Sequence, residues 1–201
     1  MSLDHTLSFL ELIHAFQKVE RMVYATGHNR RENDVEHSYQ LALVSWYLVK
    51  TNNLPLDADK TIRYALIHDL VEVYAGDTYA YTEDIELRRQ KVEREREAAR
   101  EIETRFSEFS DLHRWINAYE EQEDEESRFV YALDKLIPIL NIYLDDGKTW
   151  KEDGVTLEAI LLYKAEKVAV SPQIHKLFNE IIERLRKDEK RLFKKDIHIT
   201  G

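Results

Sequence analysis

Long runs of this chain carry no residue that interrupts a helix. Five glycines and three prolines are spread over 201 residues, while Leu, Ala, Glu, Lys and Arg, which lose least on entering a helix, are plentiful. Apolar residues return every three or four positions, the spacing of one helical face. These features predict an all-α fold of about eight helices joined by short turns. With 43% hydrophobic residues and no long polar or Gly/Ser-rich tract, residues 1–201 are expected to form one compact domain with a full core.

The first helix is expected from Leu3 to Val23, with Leu7, Leu10, Ile13, Phe16 and Val19 as its buried stripe, followed by the polar loop TGHNRREN. Asn33 and Glu36 have capping-box spacing and open a second helix. Its body, LALVSWYLV, is apolar on nearly every side and is expected at the centre of the fold. A third helix runs from Asp57 to Ala75, closed by Gly76. Thr82 caps a long charged helix reaching Phe106, and a shorter one carries Leu112, Trp115, Ile116 and Tyr119. The next spans Asp124 to Leu144, where Pro138 predicts a kink. The stretch DDGKTWKEDG reads as a loop before two closing helices, from Thr156 to Ala169 and from Pro172 to Phe193.

Several function classes fall away at this stage. No apolar run approaches the roughly 20 residues of a membrane span, and the N-terminus has no signal-like core, so a cytoplasmic location without a membrane partner is expected. The absence of cysteine excludes disulfides and thiolate metal sites. A formal charge of −10 argues against long nucleic acids as partners and leaves room for a small anion met by local positive charge.

The stretch ALIHDLVEVYAGD, residues 65–77, sets His68, Asp69 and Glu72 among apolar residues. On a continuous helix these three leave the axis within an arc of about 100° and can face one site. Asp134 likewise interrupts the apolar run FVYALDKLIPIL. An ionised carboxylate in such surroundings is costly unless an arginine or a metal compensates it, and both readings are open for each.

EHS at Glu36 to Ser38, HDLVE at His68 to Glu72, GD at Gly76 and Asp77, and LDK at Leu133 to Lys135 occur in an order and spacing that resembles the HD-domain phosphohydrolase superfamily. Within it, the sequence is most similar to the small helical 5′-nucleotidases acting on deoxyribonucleoside monophosphates. The likeness extends from about residue 10 to residue 145, with helices over about 155–193 expected to pack on that core. The resemblance implies that His37, His68, Asp69 and Asp134 hold one divalent cation. Imidazole and carboxylate ligands suit Mn, Fe, Co, Ni or Zn without choosing among them. Between the His-Asp pair and Asp134 lies one further histidine, His113, where dinuclear relatives have two, so a second metal is not expected.

The same resemblance implies a hydrolase in which water activated by the cation attacks phosphorus and the sugar 5′ oxygen leaves in line. Glu72 is assigned as acid/base, Asp77 as receiver of a sugar hydroxyl, and Arg21 and Arg30 as phosphate contacts. Relatives acting on deoxyribonucleotides place a tryptophan beside the N-terminal arginine. Here Met22, Val23 and Tyr24 follow Arg21, which leaves the sugar preference open. Competing readings are a triphosphohydrolase of the same superfamily, a regulatory module that binds metal and nucleotide without turnover, and a helical scaffold with salt-bridged acids. The charged helix between Glu83 and Arg105 offers an apolar seam for a homodimer contact, a flap or intramolecular packing.

Overall fold

A computed structural model describes residues 2–76 and 85–193. It is all-α apart from one small hairpin. The elements are α1 (Leu3–Phe16), β1 (Glu20–Tyr24), β2 (Arg31–Asn33), α2 (Asp34–Thr51), α3 (Ala58–Ile67), α4 (Glu72–Ala75), α5 (Ile85–Arg105), α6 (Ser110–Glu120), α7 (Glu125–Leu144), α8 (Lys148–Asp153), α9 (Leu157–Val168) and α10 (Pro172–Leu192). No helix among the described residues is long and apolar enough to cross a membrane.

The larger core surrounds α7, whose Val130, Leu133, Leu136 and Ile139 pack with Leu41 of α2, Tyr64 of α3, Ile160 of α9 and Phe178 of α10. A smaller core joins Leu12 and Phe16 of α1 to Leu70, Val71, Ile102, Phe106 and Ile116. Ile67 packs against both, so the two residues that follow it, His68 and Asp69, lie at the seam.

Several expectations need correction. The first helix stops at Phe16, and the next residues form β1, paired antiparallel with β2. Val19 and Val23 fit helical spacing and strand alternation equally well, and pairing with 31–33 decides for the strand. The stripe on α1 is also rotated: Leu12 and Phe16 are buried, whereas Leu7, Leu10 and Ile13 are exposed. The expected third helix breaks after Ile67 and resumes as the single turn α4. Its break has a local cause, since the His68 imidazole Nδ1–H donates to the Ala65 carbonyl at 2.9 Å and competes for an acceptor of the helical ladder. Tighter i to i+3 bonds follow, from Leu70 N–H to Ile67 O and from Glu72 N–H to Asp69 O.

The body of α2 is not buried all round; Tyr39, Leu43, Trp46 and Tyr47 lie on an exposed face. The expected loop before the closing helices contains α8, whose Trp150 is fully buried and stacks on Phe193. Other boundaries agree with the sequence: Asn33 and Glu36 complete the capping box, Asp124 caps α7, and α7 continues through Pro138. The Thr82 cap lies outside the described residues. On α5, Ala98 and Ile102 are buried in the smaller core beside α4 and α6, while Val92 of the expected seam is exposed.

Candidate metal centre

Three separate elements deliver the four expected ligands to one place. The capping box fixes the first turn of α2 and so aims His37, which is fully buried. The break after α3 presents His68 and Asp69, and mid-α7 presents Asp134. One ligand atom from each of His37, His68, Asp69 and Asp134 lies within 4.8 Å of the others. His37 Nε2 is 2.9 Å from Asp134 Oδ1, while His68 Nε2 is 2.9 Å from Asp69 Oδ2 and 3.7 Å from Asp134 Oδ1. Since Nδ1 of His68 is held by Ala65, it is Nε2 that faces the carboxylates, the orientation in which a backbone partner holds a metal-binding imidazole. This donor set, two imidazoles and two carboxylates around one point and almost wholly buried, fits a single divalent cation.

Charges around the cluster shift its protonation. Burial opposes ionisation of Asp69 and is outweighed by His68 and by Arg21, so its carboxyl is held well below the usual range. Asp134 is held low in the same way, against burial, by Lys135 and both histidines. His68 moves the other way: burial is overcome by Asp69 and Asp134, and the imidazole rises to about 10. His37 falls to about 4 through burial and the nearby Arg21 guanidinium.

Arg21 lies on β1 rather than at a helix end, and its guanidinium enters the cluster. Nη1 donates to Asp34 at 2.9 Å and to Asp69 at 2.7 Å, and Nη2 is 3.9 Å from Asp134. The hairpin is clasped from behind. Tyr24 N–H donates to Thr149, Gly27 N–H to Asp145, and Lys148 Nζ to the His28 carbonyl and Asn29. Tyr24, the only aromatic residue near Arg21 in sequence, has Lys148 Nζ 4.0 Å and the Arg31 guanidinium 4.3 Å from its ring centre.

Glu72 is buried as the first residue of α4, and its carboxylate shares a 4.8 Å neighbourhood with Asp34 and Asp69. This second carboxylate group already has a cation among its members, because Arg21 Nη1 bridges Asp34 and Asp69. Arg30 is half-exposed, and both ends of its fork meet the Glu36 carboxylate. Asp77 lies outside the described residues. His113 is buried in α6 and donates from Nε2 to the Phe106 carbonyl.

The sequence reading missed Asp34, Glu32 and Lys164. Asp34 and Glu32 sit in the charge-dense segment RREND, where only their deep burial sets them apart. Burial raises Glu32 to about 7 against the pull of Arg21. Lys164 of α9 is buried, and desolvation with the like charge of Lys135 lowers it to about 7. Four-residue spacing within α9, Ile160 to Lys164 to Val168, was the one available sign that Lys164 faces inward.

A centre of this kind, on helices in this order, defines a class. A family model for the HD domain matches residues 13–175, and the chain belongs to that family. Particular relatives can then be named. The chain is 31% identical over 137 residues to the 5′-deoxynucleotidase HDDC2 of Mus musculus and to that of Homo sapiens, covering 67% of this chain and 66% and 65% of theirs. It thus spans slightly less than two thirds of the length of these curated relatives. Among solved structures, a predicted metal-dependent phosphohydrolase from Magnetospirillum magnetotacticum superposes with a TM-score of 0.77 at 29% identity, covering 93% of this chain and 96% of that one. A conserved hypothetical protein from Pyrococcus furiosus, 23% identical with a TM-score of 0.58 over 92% of this chain and 99% of its own, shares the fold.

Proposed function

We propose that this chain is a divalent-metal-dependent phosphohydrolase that releases phosphate from nucleoside 5′-monophosphates, deoxyribonucleotides foremost. The observation that carries this reading is the convergence of His37, His68, Asp69 and Asp134 within 4.8 Å, with the Glu72 carboxylate beside Asp69. The names of the curated relatives support the choice of substrate.

His37, His68, Asp69 and Asp134 would hold the cation, which when bound acidifies a water and polarises the phosphoryl group. Glu72, next to Asp69, orients that water and returns a proton to the departing 5′ oxygen. Water oxygen bonds to phosphorus, the bond from phosphorus to the 5′ oxygen breaks, and nucleoside and phosphate result. Arg21, anchored to Asp34 and Asp69, presents a guanidinium for the phosphate. Arg30 joins only by exchanging Glu36 for phosphate, and Asp77 takes a sugar hydroxyl. Residues 1–201 act as one unit, with α9 and α10 packed on α7, in the cytoplasm.

The test is metal analysis of the purified chain followed by phosphate release from mono-, di- and triphosphates with added Mn, Co, Fe, Ni or Zn. One metal per chain, abolished in Asp69→Ala, with monophosphates preferred, is expected. Glu72→Ala should keep the metal and lose rate by roughly 10²-fold or more. Preference for triphosphates would move the assignment to a triphosphohydrolase, metal without turnover to a regulatory module, and neither metal nor turnover to a scaffold.

A further inference from the structure

Two cations near the cluster, Lys135 of α7 and Lys164 of α9, have no task in the proposed hydrolysis. Lys164 is 5% exposed, too deeply buried to meet a substrate. Lys135 is placed differently. Adjacent residues leave a helix 100° apart, so a lysine next to Asp134 could have run straight into solvent. Its stem instead passes back over Tyr131, with Nζ 5.1 Å from the ring centre, and the ammonium donates to Asp134 Oδ2 at 2.5 Å. Asp134 is thereby divided. Its Oδ1 faces His37 Nε2 and His68 Nε2, at 2.9 and 3.7 Å, and its Oδ2 faces Lys135.

Exposure shows on which side the cluster opens. The side chains of His37 and His68 are 0% exposed and that of Asp134 is 3%, while Arg21, Asp69 and Lys135 are 14%, 16% and 26%. A ligand arriving from solvent therefore meets Arg21, Asp69 and Lys135 first.

We propose that Lys135 is a phosphate-binding residue of this site, donating to the substrate's phosphate oxygens on the Asp134 side of the cluster while Arg21 serves the Asp69 side. This rests on the phosphohydrolase reading and adds a cation to it. Capacity is the first argument: an ammonium has three donors and, among the described residues, Lys135 spends one, on Asp134, which leaves two for a ligand. Need is the second. Asp34, Asp69, Glu72 and Asp134 crowd carboxylates together here, and a phosphate dianion beside them requires positive charge in addition to a metal. Arg21 commits Nη1 to Asp34 and Asp69, and both ends of the Arg30 fork are held by Glu36. Lys135 already stands at the open edge.

The rival reading is that Lys135 only holds Asp134 in place. Titration calorimetry separates the two without turnover: Mn²⁺ is titrated into metal-free chain, then inorganic phosphate into Mn²⁺-loaded chain. Lys135→Gln, and Lys135→Met, which keeps an unbranched stem over Tyr131, should still bind one Mn²⁺ per chain. Both should bind phosphate about tenfold or more weakly, the scale of one hydrogen bond to a charged group. KM for a nucleoside monophosphate should rise likewise, and inhibition by the uncharged nucleoside should not change. Phosphate affinity equal to the parent's in either Mn²⁺-loaded variant would overturn the proposal. So would loss of Mn²⁺ from both variants, the mark of a residue that only positions Asp134, or a loaded parent that binds no phosphate. A loaded parent that binds phosphate through Lys135 yet releases none from any nucleotide would overturn the phosphohydrolase reading instead, and leave the Lys135 site standing.

Discussion

Loading of the centre should release one proton per cation at neutral pH, and the structure identifies which one. Asp69 and Asp134 are already ionised, and His37, at about 4, is already neutral. His68, at about 10, is protonated. Its Nδ1 proton is committed to the Ala65 carbonyl, so a cation bound at Nε2 must displace the other proton. At pH 7.5 that competition weakens apparent affinity by about 300-fold, or about 3 kcal/mol, relative to the fully deprotonated site. Affinity should therefore rise about tenfold per pH unit from pH 7 to 9, where an unperturbed imidazole, titrating near ~6.5, would give a plateau. Isothermal titration of metal-free chain with Mn²⁺ or Ni²⁺, in buffers of different protonation enthalpy at one pH, counts the proton directly. An affinity that is flat above pH 7 together with no proton release would refute the reasoning; two protons would mean that His37 is charged as well.

Three further outcomes are expected. Arg21→Ala removes the guanidinium that Asp34, Asp69 and Glu32 share in the interior, which should destabilise metal-free chain by about 3–5 kcal/mol, and Mn²⁺ should recover more of the melting temperature than it adds to the parent. Glu32 has a folded pKa of about 7, above its unfolded value, so its contribution to stability is complete below the unfolded pKa and is lost as pH rises through 7; in Glu32→Gln the fall in urea stability between pH 5 and 8 should be smaller by about 2.5 kcal/mol. Gly147 and Gly154 both have positive φ, but a Cβ at Gly147 would meet the Leu192 carbonyl at 2.2 Å and one at Gly154 meets nothing; Gly154→Ala should cost about 1 kcal/mol and Gly147→Ala about 1–3 kcal/mol more, read as chemical denaturation midpoints.

What could be read from the sequence divides along a physical line. Asp69 and Asp134 were legible because a charge in an apolar run has few explanations, and the four-part motif supplied the partners. Helical regions were legible from spacing and start signals, as Asn33 with Glu36 and Pro172 at the head of α10 show. What failed was whatever depends on a distant partner. The strand at Glu20–Tyr24 exists because residues 31–33 pair with it and because Lys148, Thr149 and Asp145 hold its turn. The helix break at His68 exists because one imidazole takes the Ala65 carbonyl while its other nitrogen reaches Asp69 and Asp134.

These two misses are linked, because both place charge. A continuous helix through His68 and a first helix ending near Arg21 would require some other route for the guanidinium to reach Asp69. By turning residues 20–24 into a strand, the chain threads Arg21 between Asp34 and Asp69 and leaves its Nη2 3.9 Å from Asp134. Lys135 pairs with Asp134 from the next position on α7, and Lys164 lies buried behind it on α9. Buried acids at this density are sustainable only with cations delivered from several elements, since desolvation of each carboxylate has to be offset locally. The same cations bear on the proposed site: the His37, His68, Asp69 and Asp134 donors are where the proposal puts a divalent ion, whereas the carboxylates of Asp34 and Asp69 already share the Arg21 guanidinium.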